Sequence, residues 1–194
     1  MNYLFFDIES IDRAHKTICT FGYVLTDSKF NILQKEDIII NPNLQDNELD
    51  KWALNKIVKY PLEMIRTNPT FDKYYDKIKN LIQDSQTIVF GYGLINDIAY
   101  VNSESKRYNK ELIIDDNVKL FEVQDIYKKY SGDKNPMALK KLAQSLEIDI
   151  SHLTAHKSSD DAEITMLVAK TLLEKQKING KNIKLHLANV RKYM

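Results

Sequence analysis

The chain has 194 residues, of which 43% are hydrophobic and 28% charged, the balance of a globular domain with a sizeable core; a disordered chain is excluded. Lys and Arg number 28 against 27 Asp and Glu, a net charge of +1, which excludes a global pull on a polyanion and makes any nucleic-acid site a local one. Cys19 is the only cysteine, excluding an intramolecular disulfide and a Cys-rich zinc site, and no apolar run reaches the ~20 residues of a membrane span. With no signal-peptide pattern either, the expectation is a cytoplasmic protein with no membrane partner.

The first predicted element is a strand over YLFFDIES (3–10), apolar until Asp7 and Glu9 at its end. A second strand is expected in TICTFGYVL (17–25), with Cys19 as a small core residue, and a weaker third in ILQKEDII, stopped by Asn41-Pro42-Asn43. Short connections favour an antiparallel meander of the three. DNELDKWALNKIVKY (46–60) is helical in composition and ends before Pro61. After Asn68-Pro69-Thr70, FDKYYDKIKNLIQD has Phe71, Tyr74, Tyr75, Ile78, Leu81 and Ile82 at helical spacing. Trp52 and these aromatics are read as core, with an aromatic platform for bases as the lesser reading.

TIVFGY (87–92) is a short apolar strand, followed by a helix from Asn96 or Asp97. KLFEVQD (119–125) is a strand that runs into a helix, and MALKKLAQSLEI (137–148) and DAEITMLVAKTLLEK (161–175) are amphipathic helices. Three strands followed by alternating helices and strands predict an α/β fold. Its mixed five-stranded sheet begins as a three-stranded antiparallel meander and ends in two parallel strands, with helices on its flanks.

Asp7 and Glu9 lie two apart on a strand, so they project to one face with Cα atoms ~6.6 Å apart. Ligands of such sheets gather beyond the carboxyl ends of the parallel strands. Asp97 lies just past the fourth strand, and Asp161 heads the last helix. Singly, Asp97 also reads as a first-turn helix acid and Asp161 as a helix cap. Together, four carboxylates require cations, and hard oxygen ligands suit magnesium or manganese. Two such ions ~3.5–4 Å apart clamp the attacking and leaving oxygens of a phosphodiester displacement. His156, five residues before Asp161, is placed to accept a proton from the attacking water. His15, His152 and His186 read as surface histidines.

These residues resemble the DEDDh branch of the 3′–5′ exonuclease superfamily, which includes the proofreading epsilon subunit of bacterial DNA polymerase III. The first motif is Asp7-Ile8-Glu9, the second Asp is Asp97 in FGYGLIND, and the third is His156 with Asp161 in HKSSDDAEIT. Lys157 stands where the tyrosine-bearing branch has Tyr. The resemblance covers roughly residues 3–175 and implies a ribonuclease H-like fold. It also implies two divalent ions held by Asp7, Glu9, Asp97 and Asp161, with His156 as general base. The product would be nucleoside 5′-monophosphates released from a 3′ end of DNA or RNA. The departures are Tyr92-Gly93 in place of His-Asn, Asn96 in place of Phe, and SIDRAHKT after Glu9 without the Thr-Thr-Gly of many members. Ser10 and Ile11 are then the nearest backbone candidates to hold the terminal nucleotide. Tyr92 and Phe21 are candidates to stack on its base, and Asp160 competes with Asp161 as the ligand.

The domain is expected to span 1–175, with 176–194 a basic extension of the same domain. Lys175, Lys177, Lys181, Lys184, Arg191 and Lys192 in the tail face Glu174 alone; a solvated basic helix is favoured over a phosphate contact. The expected partner is a nucleic acid with a free 3′ end, and proofreading would add a polymerase on another chain. The rival readings are a nuclease-like binding module that has lost catalysis, and an endonuclease on the related fold.

Overall fold

The computed structural model describes residues 1–12, 14–133, 135 and 137–192. Five strands form one sheet: β1 (Asn2–Glu9), β2 (Thr20–Asp27), β3 (Ile32–Ile39), β4 (Thr87–Gly91) and β5 (Leu120–Glu122), in the order β3-β2-β1-β4-β5. β3, β2 and β1 are antiparallel, while β4 and β5 run parallel to β1. This is the mixed sheet expected, of the ribonuclease H-like kind.

Alternation along β1 sorts its side chains between two cores. Tyr3 and Phe5 join Val24, Phe90 and Phe121 under helices α5 (Val123–Ser131), α6 (Leu139–Ser145) and α7 (Ser158–Lys175). Phe90 stacks between Phe5 and Phe121, with ring centroids 4.7 and 4.6 Å away. Leu4 and Phe6 face the other way, toward α3 (Phe71–Gln83) and α4 (Leu94–Arg107), with Phe71, Ile78 and Leu94 completely buried. A third small core of Ile11, Cys19, Val58 and Ile65 lies under α1 (Lys51–Lys56) and α2 (Leu62–Thr67). Cys19 is buried there, and burial pushes its thiol pKa up, which leaves it inert.

The element boundaries differ from the sequence reading in physically explicable ways. Residues 46–60 do not form one helix: Asp50 accepts the N–H groups of Trp52 and Ala53 and starts α1 afresh, after a 3-10 turn at Asp46–Glu48. Pro61 ends one stretch but also opens the short α2, its fixed φ suiting a helix start. Trp52 is not core; it is 55% exposed. Phe21 is completely buried and stacks on Phe6, which removes it as a platform for a base.

Among the described residues, the chain beyond α7 buries Ile178, Ile183 and Val190, and Ala188 forms an antiparallel bridge to Leu120 on β5. Tyr193 and Met194 lie outside the described residues, as do Arg13, Lys134 and Pro136. No described helix is long and apolar enough to cross a membrane.

Candidate active site

β1 pairs with β4 only as far as Phe5–Phe90, whereas its pairing with β2 continues to Glu9–Thr20. The last four residues of β1 therefore border an opening on the β4 side. Here the sheet changes from antiparallel to parallel neighbours, the place where α/β sheets gather ligands. Asp7 and Glu9 share the face of Tyr3 and Phe5, on which α7 is seated.

α4 enters the opening from the far side. Gly93 turns the chain with φ +80°, a left-handed conformation that suits glycine. Glu122, buried at the end of β5, accepts the N–H groups of Gly93 at 3.0 Å and Leu94 at 2.8 Å, and also that of Gln124 at 3.0 Å. This capping starts α4 at Leu94, ahead of the expected Asn96, and sets buried Asp97 in its first turn.

α7 is fastened across β2 and β3. Asp37 accepts the Ser159 N–H at 2.8 Å and its hydroxyl at 2.5 Å, and Thr20 bonds the Ser158 hydroxyl at 2.5 Å. Lys35 holds Asp160 at 2.5 Å and Glu163 at 2.6 Å. Asp160 is thus committed to Lys35 and to the Thr154 N–H, while Asp161 turns to Glu9 and His156. Burial raises the Asp160 carboxyl, but Lys35 and that N–H more than offset it and hold it low. The lysine thus holds Asp160 away from the group that Asp161 forms with Glu9 and His156.

His156 sits at φ +63°, and its N–H donates to Asp161 at 2.8 Å. Its imidazole, half exposed, lies 3.5 Å from a Glu9 oxygen. One ligand atom each from Glu9, His156 and Asp161 lie within 4.8 Å of one another, a spacing that fits a cation.

Asp7, Glu9, Asp97 and Asp161 feel each other's charge. Burial pushes Asp7 well above the carboxylate range, and Asp97, Asp161 and Glu9 add to it. Glu9 rises to about 8 through burial and Asp161, with Lys59 opposing. Burial, Glu122 and Glu9 raise Asp97, and burial raises Asp161 against the opposing His156 and Lys59. Carboxylates that resist ionisation in such a group are what hard divalent cations relieve.

The structure does not bring the remaining candidates together in the same way. The Ser10 hydroxyl bonds the Asp12 carbonyl at 2.5 Å, and the Ile11 side chain is completely buried. Tyr92 is half-buried against the first core, its hydroxyl donating to the Met137 carbonyl. His15 and His152 are largely exposed beside Glu48 and Glu163. Sequence reasoning missed Glu122, Asp37 and Gly22. The last carried a signal: a glycine inside an apolar strand marks a close backbone approach.

The fold and site define a nuclease-like α/β protein. A family model described as Exonuclease, RNase_T, matches residues 4–169. The chain belongs to this exonuclease family, and the match bears out the resemblance to the DEDDh exonucleases; that family implies divalent metal ions. No curated protein sequence matches the chain significantly. Similar solved structures include a 3′-exonuclease described in 3′-end specific recognition of histone mRNA stem-loop (12% identity, TM-score 0.76, 92% of this chain and 65% of that one). The nuclease domain of 3′hExo, a DEDDh family member bound to rAMP, has 13% identity, a TM-score of 0.75, and coverage of 92% and 94%. E. coli exonuclease I with a dT13 oligonucleotide has 19% identity and a TM-score of 0.74, with 91% of this chain spanning 42% of that one.

Proposed function

We propose that the protein is a metal-dependent 3′–5′ exonuclease that hydrolyses the terminal phosphodiester of DNA or RNA and releases nucleoside 5′-monophosphates. The observation that carries this is the cluster of Glu9, His156 and Asp161, with ligand atoms within 4.8 Å of one another, together with the charges of Asp97, Asp161 and Glu9 that bear on Asp7 near the end of β1. Family membership and the nucleic acids bound by the similar structures support it.

Asp7, Glu9, Asp97 and Asp161 would hold two magnesium or manganese ions. Such ions supply the Lewis acidity that activates the attacking water and steadies the leaving oxygen. His156 accepts the proton of that water; its half-exposed ring can return it to solvent. The new P–O bond forms as the bond to the 3′ oxygen breaks, and that oxygen takes the electron pair. The backbone at Ser10 and Ile11, just past Glu9, is the candidate to hold the terminal nucleotide.

The test uses 5′-labelled single-stranded, duplex and 3′-blocked DNA and RNA with magnesium, manganese or chelator. The expected result is a metal-dependent ladder shortening from the 3′ end and blocked by a 3′ cap. Asp7→Ala abolishes it, and His156→Ala lowers kcat about 10²–10⁴-fold. Binding without cleavage under either metal would leave a nuclease-like binding module, and cleavage of circular substrate would make it an endonuclease.

A further inference from the structure

Four ionised carboxylates and two divalent cations sum to zero charge. The phosphodiester brings a negative charge to that site, and the released monophosphate carries about −1.5 to −2 at pH 7. His156, as the base, starts neutral. Charge that develops on the phosphate therefore calls for a further cation at the site.

Lys59 is placed to supply it, because both of its chain neighbours are anchored beside the site. Val58 is buried in the third core with Ile11 and Cys19, and the Cys19 N–H donates to the Glu9 carbonyl at 2.9 Å. The Tyr60 hydroxyl donates to Asp37 at 2.8 Å, and Asp37 accepts the N–H of Ser159, two residues before Asp161. The backbone at residue 59 is thus tethered to the segments that flank Glu9 on one side and to the start of α7 on the other.

The Lys59 side chain is exposed. Its ammonium makes one weak contact, to the Lys56 carbonyl at 3.5 Å, and no ion pair among the described residues. Its charge still favours the ionised forms of both Glu9 and Asp161. Two other lysines near α7 are committed: Lys35 to Asp160 and Glu163, and Lys157 to Asp160 at 3.7 Å. A lysine held so loosely can swing its flexible four-carbon stem onto a substrate.

We propose that Lys59 is a further catalytic residue, whose ammonium binds a non-bridging oxygen of the scissile phosphate and stabilises the charge that grows as the monophosphate departs. Lys59 transfers no proton and stays an ammonium throughout. The proposal rests on the exonuclease reading and deepens it by naming the cation that meets the substrate.

The test uses the p-nitrophenyl ester of thymidine 5′-monophosphate, whose hydrolysis breaks a bond to the same phosphate, beside a 5′-labelled oligonucleotide, both at saturating magnesium. Lys59→Ala should lower kcat about tenfold or more on both substrates with the melt unchanged, and Lys59→Arg should recover most of the loss. A parental kcat for Lys59→Ala on the ester overturns the proposal and leaves the exonuclease standing. So does a defect that vanishes as magnesium is raised, since the lysine would then serve the carboxylates rather than the substrate. A second measurement needs no turnover. Thymidine 5′-monophosphate with magnesium should raise the wild-type Tm, and Lys59→Ala should lose most of that rise. A rise that depends on Lys59, with neither substrate hydrolysed by the wild type, keeps Lys59 on a phosphate and removes the exonuclease. No rise and no hydrolysis overturns both.

Discussion

Asp7 and Glu9 show how a single pair of residues sets the requirements of the whole site. Burial raises both, with Asp97, Asp161 and Glu9 adding to the rise of Asp7, and Asp161 to that of Glu9, which goes from an ordinary 4.5 to about 8. Without metal, between roughly pH 4.5 and 8, the folded protein keeps a Glu9 proton that the unfolded chain has released. Fewer protons on the unfolded state mean that stability falls as pH rises, and Asp7, Asp97 and Asp161 act in the same sense. In chelator, the Tm should drop by about 5 °C or more from pH 5 to pH 8, at ~2–4 °C per kcal/mol for a chain of this size. Magnesium at pH 8 should restore it by binding the folded state, and Asp7→Asn should raise the chelated Tm at pH 8. A chelated Tm that climbs with pH would contradict this electrostatic picture. These carboxylates were legible because strand parity and helix starts are local properties. The role of Lys35 in separating Asp160 from Asp161 was not, since it depends on a partner 125 residues away.

Among the elements, the seat of α7 on β2 decides whether Asp161 meets Glu9. That seat is Gly22, the register partner of both Asp7 and Asp37. A Cβ there would lie 2.0 Å from the Ser159 nitrogen and 2.1 Å from the Ser158 carbonyl carbon, both backbone atoms of the first turn of α7. Backbone cannot swing aside as a side chain does, so α7 would have to lift. Gly22→Ala should cost about 3 kcal/mol or more, read from the denaturant midpoint. It should also lower kcat more than tenfold, because the lift carries Asp161 and His156 away from Glu9. A fully active, equally stable Gly22→Ala protein would show that α7 is not seated there. Element types over long periodic stretches such as 71–83 were readable from spacing. The end of β5 at Glu122 was not: LFEV reads as continuous strand, and only the approach of Gly93 and Leu94 makes its glutamate a helix cap.

On the scale of the molecule, the parallel strands give the domain two unlike poles. Their carboxyl ends carry the acidic site; their amino ends begin at Asn2, Thr87 and Leu120. The chain after α7 returns to the second pole, where the Ala188 N–H meets the Leu120 carbonyl at 2.8 Å and Arg191 pairs with Asp116 at 2.8 Å. Ile178, Ile183 and Val190, spaced five and seven apart, show no helical or strand period, so their burial was invisible to pattern reading. At ~1.5–3 kcal/mol for each buried aliphatic side chain, they contribute about 4–9 kcal/mol, comparable with a domain's whole ~5–15 kcal/mol. We therefore propose that 176–192 belongs to the same folding unit as 1–175 and does not hold the substrate. Two measurements separate this from a phosphate-binding tail. Ending the chain at 175 should remove the cooperative melt. Changing exposed Lys177, Lys181 and Lys184 together to Gln should leave both the melt and the slope of log Kd against log salt unchanged. A slope reduced by one or more in the triple variant would place the strand on the tail, and a truncated chain that melts like the parent would make the tail an appendage.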